Sequence, residues 1–590
     1  MSKPIEDYAL LGDGRSAALV GADGSVDWLC WPRFDSPACF AALLGTDDHG
    51  HWSIKPHGPV LARSRRYIED TLVLETEYRV RNGRVRVCDF MPVGDGPSSL
   101  VRIVTGLQGT VSMALALALR FDHGRVMPWV EAHPDGMTAT LGPDRVLFRS
   151  PLPLIPDANR TSIAFDIDEG DSVSFVLSHR LSSEPPPERI DIARAHRRTT
   201  RYWRTWIARF GRPTDWPAAT RRSLLTLRAL VYKPTGGMVA APTTSLPEKP
   251  GGISNWDYRY CWLRDATFLM GALLNAGLQA EATAWRDWLL RAVGAQPEEL
   301  RIAYRIDGAT DLDERVLEWL PGYEHAAPVR VGNAAWKQHQ LDVFGEVIDA
   351  MSVARRGGIP DCAQGLHVEE MLVRHLASIW ETPDQGIWED RGDAKHYVYS
   401  KVMAWVGVDR YLKGAASKRI GSKQRRTLER LRTRIHAEIC ARGYHSGRGT
   451  FVQHYDSDDL DASLLLLPAL GFLPADDPRI ERTIDAIEIE LSIGGFVMRT
   501  ATSDGTQPEG AFLPCTCWLA DCRAMQGRHE EARIALERVL SVSNDLGLLS
   551  EEYDVDGGRL VGNFPQALTH LAVLNTTLGL CGPVLQRGGG

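Results

Sequence analysis

The spacing of apolar residues changes from a period of two to a period of 3.6 part-way along the chain. Over the first ~180 residues, short apolar and polar runs alternate and are broken by Gly, Pro and Asp, which is typical of half-buried antiparallel strands. From about Pro217 onward, apolar residues recur with helical spacing. Since one uniform architecture cannot satisfy both periods, we predict a multidomain β + α protein, with a β domain followed by a helical domain.

The clearest strand pair of the first part is a hairpin. Residues 71–80 and 84–90 both alternate in polarity, and Asn82-Gly83 lies between them. Because Asn-Gly accepts the positive φ angles of a type I′ turn, we predict that the chain turns at these two residues. Strands of this kind pack as an antiparallel β-sandwich, which we expect to span residues 1–185.

A proline-rich run separates the two parts. Ser182–Pro187 stiffens the chain and blocks strand pairing. We therefore expect a linker over residues 186–216, which contains an amphipathic helix. The large apolar residues of this helix are Trp203, Trp206, Ile207 and Phe210.

The second part contains about twelve helical candidates, which implies six helical hairpins. Antiparallel helices in this number would close into a toroid over residues 217–580, with the longer loops around one mouth. We expect residues 581–590 to form a flexible tail. Examples of the helical candidates are Arg221–Tyr232, Asp265–Ala276, Glu281–Val293, Gln340–Arg355, Tyr399–Leu412 and Pro565–Leu578.

Bulk properties exclude several classes of protein. At 590 residues the chain is too long for one ordinary core. The 67 basic and 75 acidic residues are well mixed, so no basic stripe is available for nucleic acid. No run approaches the ~20 apolar residues of a membrane span, and the amino terminus lacks the pattern of a secretory signal. We expect a cytoplasmic protein with a small polar partner; the sequence leaves the oligomeric state open.

The cysteines do not indicate a metal site. The ten cysteines are scattered, and the closest group, Cys515, Cys517 and Cys522, has no His at zinc-finger spacing. We therefore predict reduced and mostly buried thiols, and neither a metal nor an organic cofactor.

Four segments place aromatic residues beside Arg and carboxylates in loops at helix ends. Sugars need this mixture, because an aromatic ring packs on the C–H face of a pyranose while charged groups bond to its hydroxyls. The first segment, NWDYRYCWLRD at 255–265, holds Tyr258, Trp262, Arg264 and Asp265. An Arg-Asp pair can clamp two neighbouring hydroxyls. Core aromatics before a helix with an acidic first turn explain the segment equally well.

The second and third segments each carry candidate acids. In GIWEDRG at 386–392, Glu389 follows Trp388, and an aromatic wall raises the pKa of a carboxyl group, as a general acid requires. In LSEEYD, Glu551 and Glu552 lie side by side before a Gly-Gly turn. Without further context, exposed loop acids account for both segments.

The fourth segment covers Tyr323–Gln340 and leads into a helix. Arg330 and Asn333 either line a pocket or cap that helix, and both alternatives stay open.

Taken together and in this order, the four segments resemble glycoside hydrolase family 15, the glucoamylase, glucodextranase and trehalase group. The opening IEDYALLGDGRSAALVGADGSVDWLCWPRFDSPACFAALLG is similar to the trehalase-like N-terminal domain of many bacterial members. The resemblance covers nearly the whole chain. It implies an N-terminal antiparallel β-sandwich followed by an (α/α)6 barrel, and hydrolysis with inversion at the anomeric carbon.

The resemblance also implies residue roles. Glu389 matches the acid that directly follows a Trp, and Glu551 fits the catalytic base better than Glu552, which stays an alternative. Tyr258, Trp262, Arg264, Asp265 and Trp388 are carried over as the grip on a terminal glucose, so the enzyme is expected to be exo-acting.

The implied mechanism sets environmental requirements. An inverting enzyme holds its two carboxyl groups ~6.5–9.5 Å apart, with a water between the base and the sugar. The acid must stay protonated while the base stays ionised, so we predict an apolar surround for Glu389 and a wetter one for Glu551.

The substrate is left open among trehalose, isomaltose, maltose and longer α-glucans. His325 replaces a small residue that the resemblance leads us to expect, and we predict that it narrows the entrance and favours a disaccharide. Two other functions fit a similar architecture: an inverting disaccharide phosphorylase, which needs no base, and a non-catalytic carbohydrate-sensing subunit. The second glutamate in LSEEYD favours hydrolysis over both.

Overall fold

The computed structural model describes residues 3–157, 159–294, 296, 299–501 and 509–585. Its first part is formed by fifteen strands in two antiparallel sheets of seven and eight strands. The strands are β1 Tyr8–Gly12, β2 Ala17–Gly21, β3 Ser25–Cys30, β4 Ala38–Phe40, β5 His51–Pro56, β6 Ala62–Tyr67, β7 Leu74–Val80, β8 Gly83–Phe90, β9 Ser99–Gly109, β10 Val111–Ala118, β11 Trp129–His133, β12 Gly136–Leu141, β13 Asp144–Arg149, β14 Thr161–Ile167 and β15 Ser172–Leu181.

The two sheets share one apolar core. The first sheet has the order β1-β2-β3-β5-β10-β14, with β4 beside β3, and the second has the order β11-β12-β13-β15-β9-β8-β7-β6. Trp52 of the first sheet meets Phe148 of the second edge to face, with ring centroids 5.7 Å apart. In β7 the buried residues alternate with partly exposed ones, so the period of two that predicts strands is confirmed.

The predicted hairpin forms, but its turn was placed wrongly. Val80 pairs with Gly83, so the chain turns at Arg81-Asn82, and neither Asn82 nor Gly83 has a positive φ. The type I′ turn is therefore absent. Gly83 has a different role: a Cβ at this position would clash with the Gln108 carbonyl oxygen of β9, so the glycine permits close strand approach.

The linker contains helix α1, Ile192–Ile207. Its N-terminus is capped by Asp191, whose carboxylate accepts a 2.9 Å hydrogen bond from the Arg194 amide. Trp203 and Trp206 are buried. The Trp206 indole also donates a 2.8 Å hydrogen bond to Glu281, which ties the linker to the helical part of the chain.

The second part is helical, and all six candidate segments lie on helices. The largest shift is in α2, which begins at Pro217 rather than Arg221 because proline is favoured in the first turn. The helices are α2 Pro217–Leu230, α3 Arg264–Asn275, α4 Gln279–Val293, α5 Asp342–Arg356, α6 Ala363–Ile379, α7 Val398–Lys413, α8 Ser422–Arg442, α9 Pro478–Glu490, α10 Leu513–Met525, α11 His529–Ser541 and α12 Ala567–Leu580.

The loops of the helical part add short strands and a 3-10 helix, Ala462–Leu466. The strands are β16 Cys261–Trp262, β17 Ala303–Tyr304, β18 Arg315–Val316, β19 Arg330–Val331, β20 Tyr444–His445, β21 Thr450–Phe451, β22 Ser492–Ile493, β23 Phe496–Val497, β24 Ala511–Phe512, β25 Glu552–Asp554 and β26 Arg559–Val561.

The helices are arranged in an inner and an outer layer. Helix α3 packs against α5 and α12, α5 packs against α7, and α10 packs against α12, while the 3-10 helix bridges α7 and α10. These contacts close a ring. Helices α5, α7 and α12 are buried on nearly every side, as expected inside such a ring, whereas α8 buries only one stripe.

Two further predictions concern the chain end and membranes. Residues 586–590 of the predicted flexible tail lie outside the described residues. Residues 581–585 contact the helical part, since the Leu585 amide donates a 2.8 Å hydrogen bond to Asn275.

Within the described part of the chain, no helix combines the length and the apolar character that crossing a bilayer requires.

A buried ion pair lies at the contact between the two parts of the chain, and its arginine bonds to the β domain. The Arg259 guanidinium donates 2.8 and 2.6 Å hydrogen bonds to the Asp257 carboxylate. It also donates a 2.8 Å hydrogen bond to the Ser36 carbonyl oxygen of the β domain. Nearby, the Trp28 indole donates a 2.7 Å hydrogen bond to the Pro242 carbonyl. The segment that carries Asp257 is thus fixed to the β domain.

We expect Arg259→Gln to lower the free energy of unfolding by about 3–5 kcal/mol, because it leaves the Asp257 carboxylate buried without a cation. Urea unfolding followed by tryptophan fluorescence measures the change. Arg66→Gln is the matched control: the Arg66 side chain is 72% exposed and Glu75 keeps Arg86 as a partner 3.6 Å away, so the expected loss is about 1 kcal/mol or less. Equal effects of the two substitutions would contradict the role of the buried pair.

Candidate active site

A cavity of about 450 Å³ opens where the inner helices α3, α7 and α10 begin. Five of the seven predicted site residues line it: Tyr258, Arg264, Trp388, Glu389 and Glu551. The four segments therefore converge on one site, since Arg330 and Asn333 of the fourth also line it.

The segment 255–265 is extended between the β domain and the cavity. The carbonyl oxygens of Tyr258 and Tyr260 each accept a 2.9 Å hydrogen bond, from the amides of Ala241 and Ala240. Because side chains alternate along an extended chain, Asp257 and Arg259 point toward the β domain while Tyr258 points into the cavity.

Two aromatic residues of this segment each hold one glutamate. The Trp262 indole donates a 2.7 Å hydrogen bond to Glu389 Oε1, and the Tyr258 hydroxyl donates a 2.6 Å hydrogen bond to Glu551 Oε1. The two rings meet edge to face with centroids 5.3 Å apart. The aromatic pair therefore sets the separation of the two carboxylates across one cavity.

Glu389 is held in a strained backbone conformation. Its φ is +63°, which is costly for a residue with a side chain and is maintained only where the surroundings fix it. Burial raises the pKa of Glu389, while the neighbouring Arg264 guanidinium and the Trp262 hydrogen bond oppose that rise. Arg264 Nη1 lies 3.3 Å from Glu389 Oε1. The net shift favours a protonated carboxyl group.

The prediction that Glu551 is the wetter glutamate is wrong. Glu551 is 1% exposed, whereas the Glu389 side chain is 18% exposed. Gly562, with φ +76°, passes so close to Glu551 that an added Cβ would lie 2.8 Å from the Glu551 Cβ, so this loop covers the glutamate. Burial raises the pKa of Glu551 to about 7, although Arg499 and the Tyr258 hydroxyl lower it.

Glu552 faces away from the cavity. It begins β25 and does not line the site, and its Oε2 accepts a 2.9 Å hydrogen bond from the Gly510 amide. Its Oε1 lies 3.0 Å from Arg499 Nη2. Of the two adjacent glutamates, Glu551 is therefore the one that presents its carboxylate to the cavity.

Arg499 is surrounded by three carboxylates, those of Glu248, Glu509 and Glu552. Oxygen atoms of these three residues lie within 4.8 Å of one another, a spacing at which carboxylates can hold a metal ion. Arg499 Nη2 lies 3.0, 2.5 and 3.0 Å from Glu248, Glu509 and Glu552. The Arg499 guanidinium therefore supplies the positive charge among these three side chains, where a metal ion would otherwise bind.

The remaining predicted residues fall into two groups. Arg264 and Trp388 line the cavity, and the Trp388 indole donates a 2.9 Å hydrogen bond to Asp461. Trp262 and Asp265 are buried behind this surface and do not line it. Asp265 instead accepts a 3.1 Å hydrogen bond from Arg264 Nε and so orients the guanidinium.

In the fourth segment, Arg330 and Asn333 line the cavity, which was one of the two alternatives, whereas His325 does not. Asn333 both lines the cavity and caps a short 3-10 helix, by accepting a 3.0 Å hydrogen bond from the Ala335 amide. His325 is exposed and does not line the cavity, so the prediction that it narrows the entrance is wrong. The adjacent Glu324 pairs instead with Arg559, 2.9 Å away, at the surface.

Several lining residues were not predicted. Asp390 and Arg391 belong to GIWEDRG and follow Glu389, whereas most of the others lie outside the four segments. The Arg499 guanidinium lies over the rings of Trp388 and Phe512, at 5.7 and 5.0 Å from the centroids. The unpredicted lining residues include Glu248, Gln385, Asp390, Arg391, Tyr397, Gln453, Arg499, Glu509 and Phe512.

Comparison with known proteins places the chain in a family. The family model described as "Glycosyl hydrolases family 15" matches residues 218–578, and the one described as "Trehalase-like, N-terminal" matches residues 1–203. The chain belongs to glycosyl hydrolase family 15. It is therefore a glycoside hydrolase, and the resemblance inferred from the four segments is confirmed.

Relatives and solved structures agree with this membership. The chain is 37% identical to a trehalase of Mycobacterium tuberculosis, over 98% of this chain and 89% of that protein. It is 34% identical to a trehalase of Thermoplasma volcanium, over 99% and 94%. A bacterial glucoamylase complexed with acarbose shares the fold with a TM-score of 0.73 at 14% identity, over 98% and 94%. Together they support an α-glucoside hydrolase.

We expect stability to fall as pH rises between about 4.5 and 8, partly because of Glu248. Burial raises the pKa of Glu248 from 4.5 to about 8. Over this range the folded protein keeps a proton that the unfolded chain has released, so each rise in pH favours unfolding. One such proton corresponds to a slope of about 1.4 kcal/mol per pH unit.

Glu248→Gln is therefore expected to flatten the dependence of the melting temperature on pH between 5 and 8. Glu490→Gln is the control, because Glu490 is exposed and forms its ion pair at the surface. An unchanged slope in Glu248→Gln would contradict the raised pKa.

Proposed function

We propose that the protein is a trehalase: an inverting, exo-acting hydrolase that cleaves the α-glucosidic bond of trehalose and releases the attacked glucose unit as the β-anomer. The observation that carries this proposal is that Glu389 and Glu551 line one cavity, each fixed by one ring of the Tyr258–Trp262 pair. The trehalase relatives, which match 96–99% of this chain at 30–37% identity, support trehalose as the substrate.

In this mechanism Glu389 acts as the general acid. Its buried carboxyl group, with a raised pKa, donates a proton to the glycosidic oxygen as the bond to the anomeric carbon breaks. Trp262 and Arg264 both contact Oε1 of Glu389. They hold the carboxyl group in place and stabilise the carboxylate that forms when the proton leaves.

Glu551 acts as the general base. Its Oε1 accepts the Tyr258 hydrogen bond, whereas its Oε2 has no hydrogen-bond partner among the described residues. This second oxygen is available to accept a proton from a water molecule, and that water attacks the anomeric carbon from the face opposite to the leaving oxygen. The nearby Arg499 favours the ionised form that the step requires.

Two kinds of residue bind the substrate in this proposal: some contact the sugar directly, and others position those contacting residues. Tyr258, Arg264 and Trp388 line the cavity and contact the sugar in this proposal. Trp262 and Asp265 act through Glu389 and Arg264, to which they are hydrogen-bonded. The chemistry requires no metal or organic cofactor, because both proton transfers are carried out by carboxyl groups.

The proposal includes the finer architecture. The closed ring of inner helices, with the others outside it, supports an (α/α)6 barrel over residues 217–580. The two sheets with a common core support a β-sandwich over residues 1–185. Residues 186–216, with helix α1, then form the linker between them.

The anomer of the released glucose tests the mechanism. Purified protein is incubated with trehalose, isomaltose, maltose and a maltooligosaccharide, with and without phosphate, and followed by proton NMR. We expect trehalose to be cleaved fastest, to give equal initial amounts of α- and β-glucose, since one unit is inverted and the other keeps its configuration. α-Glucose alone would contradict inversion, and glucose 1-phosphate would indicate phosphorolysis.

Substitution of each glutamate separates their roles. Glu389→Gln and Glu551→Gln are each expected to lower kcat by about 10²–10⁴-fold, because each removes a proton-transfer group. Glu552→Gln is the matched control, because Glu552 is adjacent in sequence but does not line the cavity, and Gln keeps its size. A larger loss in Glu552→Gln than in Glu551→Gln would overturn the choice of base.

A further inference from the structure

A second cavity of about 350 Å³ lies at the opposite end of the inner helices. It is formed by the C-terminal parts of α3, α10 and α12 and by residues 582–585. Its wall is mainly apolar and includes Phe268, Trp518, Leu580 and Val584. Its volume lies within the range of about 300–1,000 Å³ that is typical of small-molecule sites.

This cavity is separate from the active site. Arg264, the first residue of α3, lines the active-site cavity, whereas Asn275, the last residue of the same helix, lines the second one. The two cavities approach each other most closely at Thr267 and Phe268, which line the second cavity about one helical turn from Arg264. Trp518 of the second cavity stacks on Trp388 of the active site with ring centroids 6.1 Å apart, so these two rings form the partition between the cavities.

Asp521 brings a carboxyl group to this apolar wall. Among the described residues no Lys or Arg lies within ion-pair distance of Asp521, and the nearby Thr576 hydroxyl donates a 3.4 Å hydrogen bond to the Cys517 carbonyl. Burial raises the pKa of Asp521 to about 7. A carboxylate in such a setting is costly without a cation, and the cavity provides the space for one.

Other polar groups of the wall are already engaged. Asn275 accepts the 2.8 Å hydrogen bond from the Leu585 amide, and Asn575 donates a 3.4 Å hydrogen bond to the Phe268 carbonyl. Thr267 donates a 2.8 Å hydrogen bond to the Glu346 carbonyl. His529 lies at the exposed start of α11. Asp521 is thus the charged group that a ligand inside the cavity meets.

The chain end forms a fixed side of the cavity. Besides the bond between Leu585 and Asn275, Arg212 donates a 2.8 Å hydrogen bond to the Pro583 carbonyl. Trp518 forms another side, with its ring stacked on Phe268 at 5.9 Å and 12°. The site therefore has a defined shape before a ligand enters.

We propose that this cavity is a binding site for a small organic ammonium compound, whose apolar body packs against Phe268 and Trp518 and whose charged nitrogen pairs with Asp521. The ammonium group supplies a cation that the described residues do not provide for Asp521, and the apolar wall excludes a strongly hydrated inorganic ion. A ligand with a carboxylate is repelled by Asp521.

Cyclohexylmethylammonium chloride is the probe, and isothermal titration calorimetry at pH 8 measures its binding to the full-length protein. We expect saturable binding with a Kd of about 1 mM or tighter, as suits a compound of this size. Cyclohexylmethanol, which has the same shape without the charge, is expected to bind at least tenfold more weakly. Equal binding of the two compounds, or no saturable binding of the amine, would overturn the proposal.

Two substitutions assign the binding to this cavity. Asp521→Asn removes the charge and is expected to weaken the Kd at least tenfold. Gly271→Leu fills the space: Gly271 shares a helix face with Phe268 and Asn275, and an added Cβ meets no atom within 4 Å. We expect it to abolish binding.

Gly96→Leu is the control, since Gly96 is exposed in the β domain and also has open space around it. Circular dichroism melting confirms that the variants fold. Binding that persists in both Asp521→Asn and Gly271→Leu would place the ammonium elsewhere, such as at the catalytic carboxylates, and would refute the proposed site.

Discussion

The buried Asp257–Arg259 pair is the interaction on which the active site depends. It anchors an extended segment whose alternate side chain, Tyr258, faces the cavity, and Trp262 follows in the same segment. Because both aromatic residues hold a catalytic candidate, a shift of this anchor would move both carboxylates together. Arg259 also donates a hydrogen bond to the Ser36 carbonyl, so the β domain as well as the helices fixes the position of the active site.

Burial of acids is the second organising feature. Burial raises the pKa values of Glu389, Glu551 and Glu552, and the Arg499 guanidinium opposes this rise at Glu551 and Glu552. An unpaired carboxylate is strongly disfavoured in such surroundings. Both candidate glutamates therefore combine burial, which raises the pKa, with an arginine and an aromatic hydrogen-bond donor that oppose the rise.

The sequence alone predicts the architecture and most of the site, because these depend on local pattern. Helix α4 and strand β7 bury residues with periods of 3.6 and two. Glu389 could be identified as the candidate acid because Trp388 directly precedes it. The exposure of Glu551 was not predictable, since Gly562 covers it through a loop conformation. Arg499 was missed for a similar reason: its three acidic partners are scattered along the chain and meet only after folding.

The contact between Arg259 and Ser36 has a consequence for the order of events during synthesis. The β domain leaves the ribosome first, and domains generally fold as units in that order. When residues 255–265 emerge, a folded surface with the Ser36 carbonyl is already present to receive them. Glu551 is added almost 300 residues later. The β domain therefore offers a template on which half of the active site can assemble while the other half is still being translated.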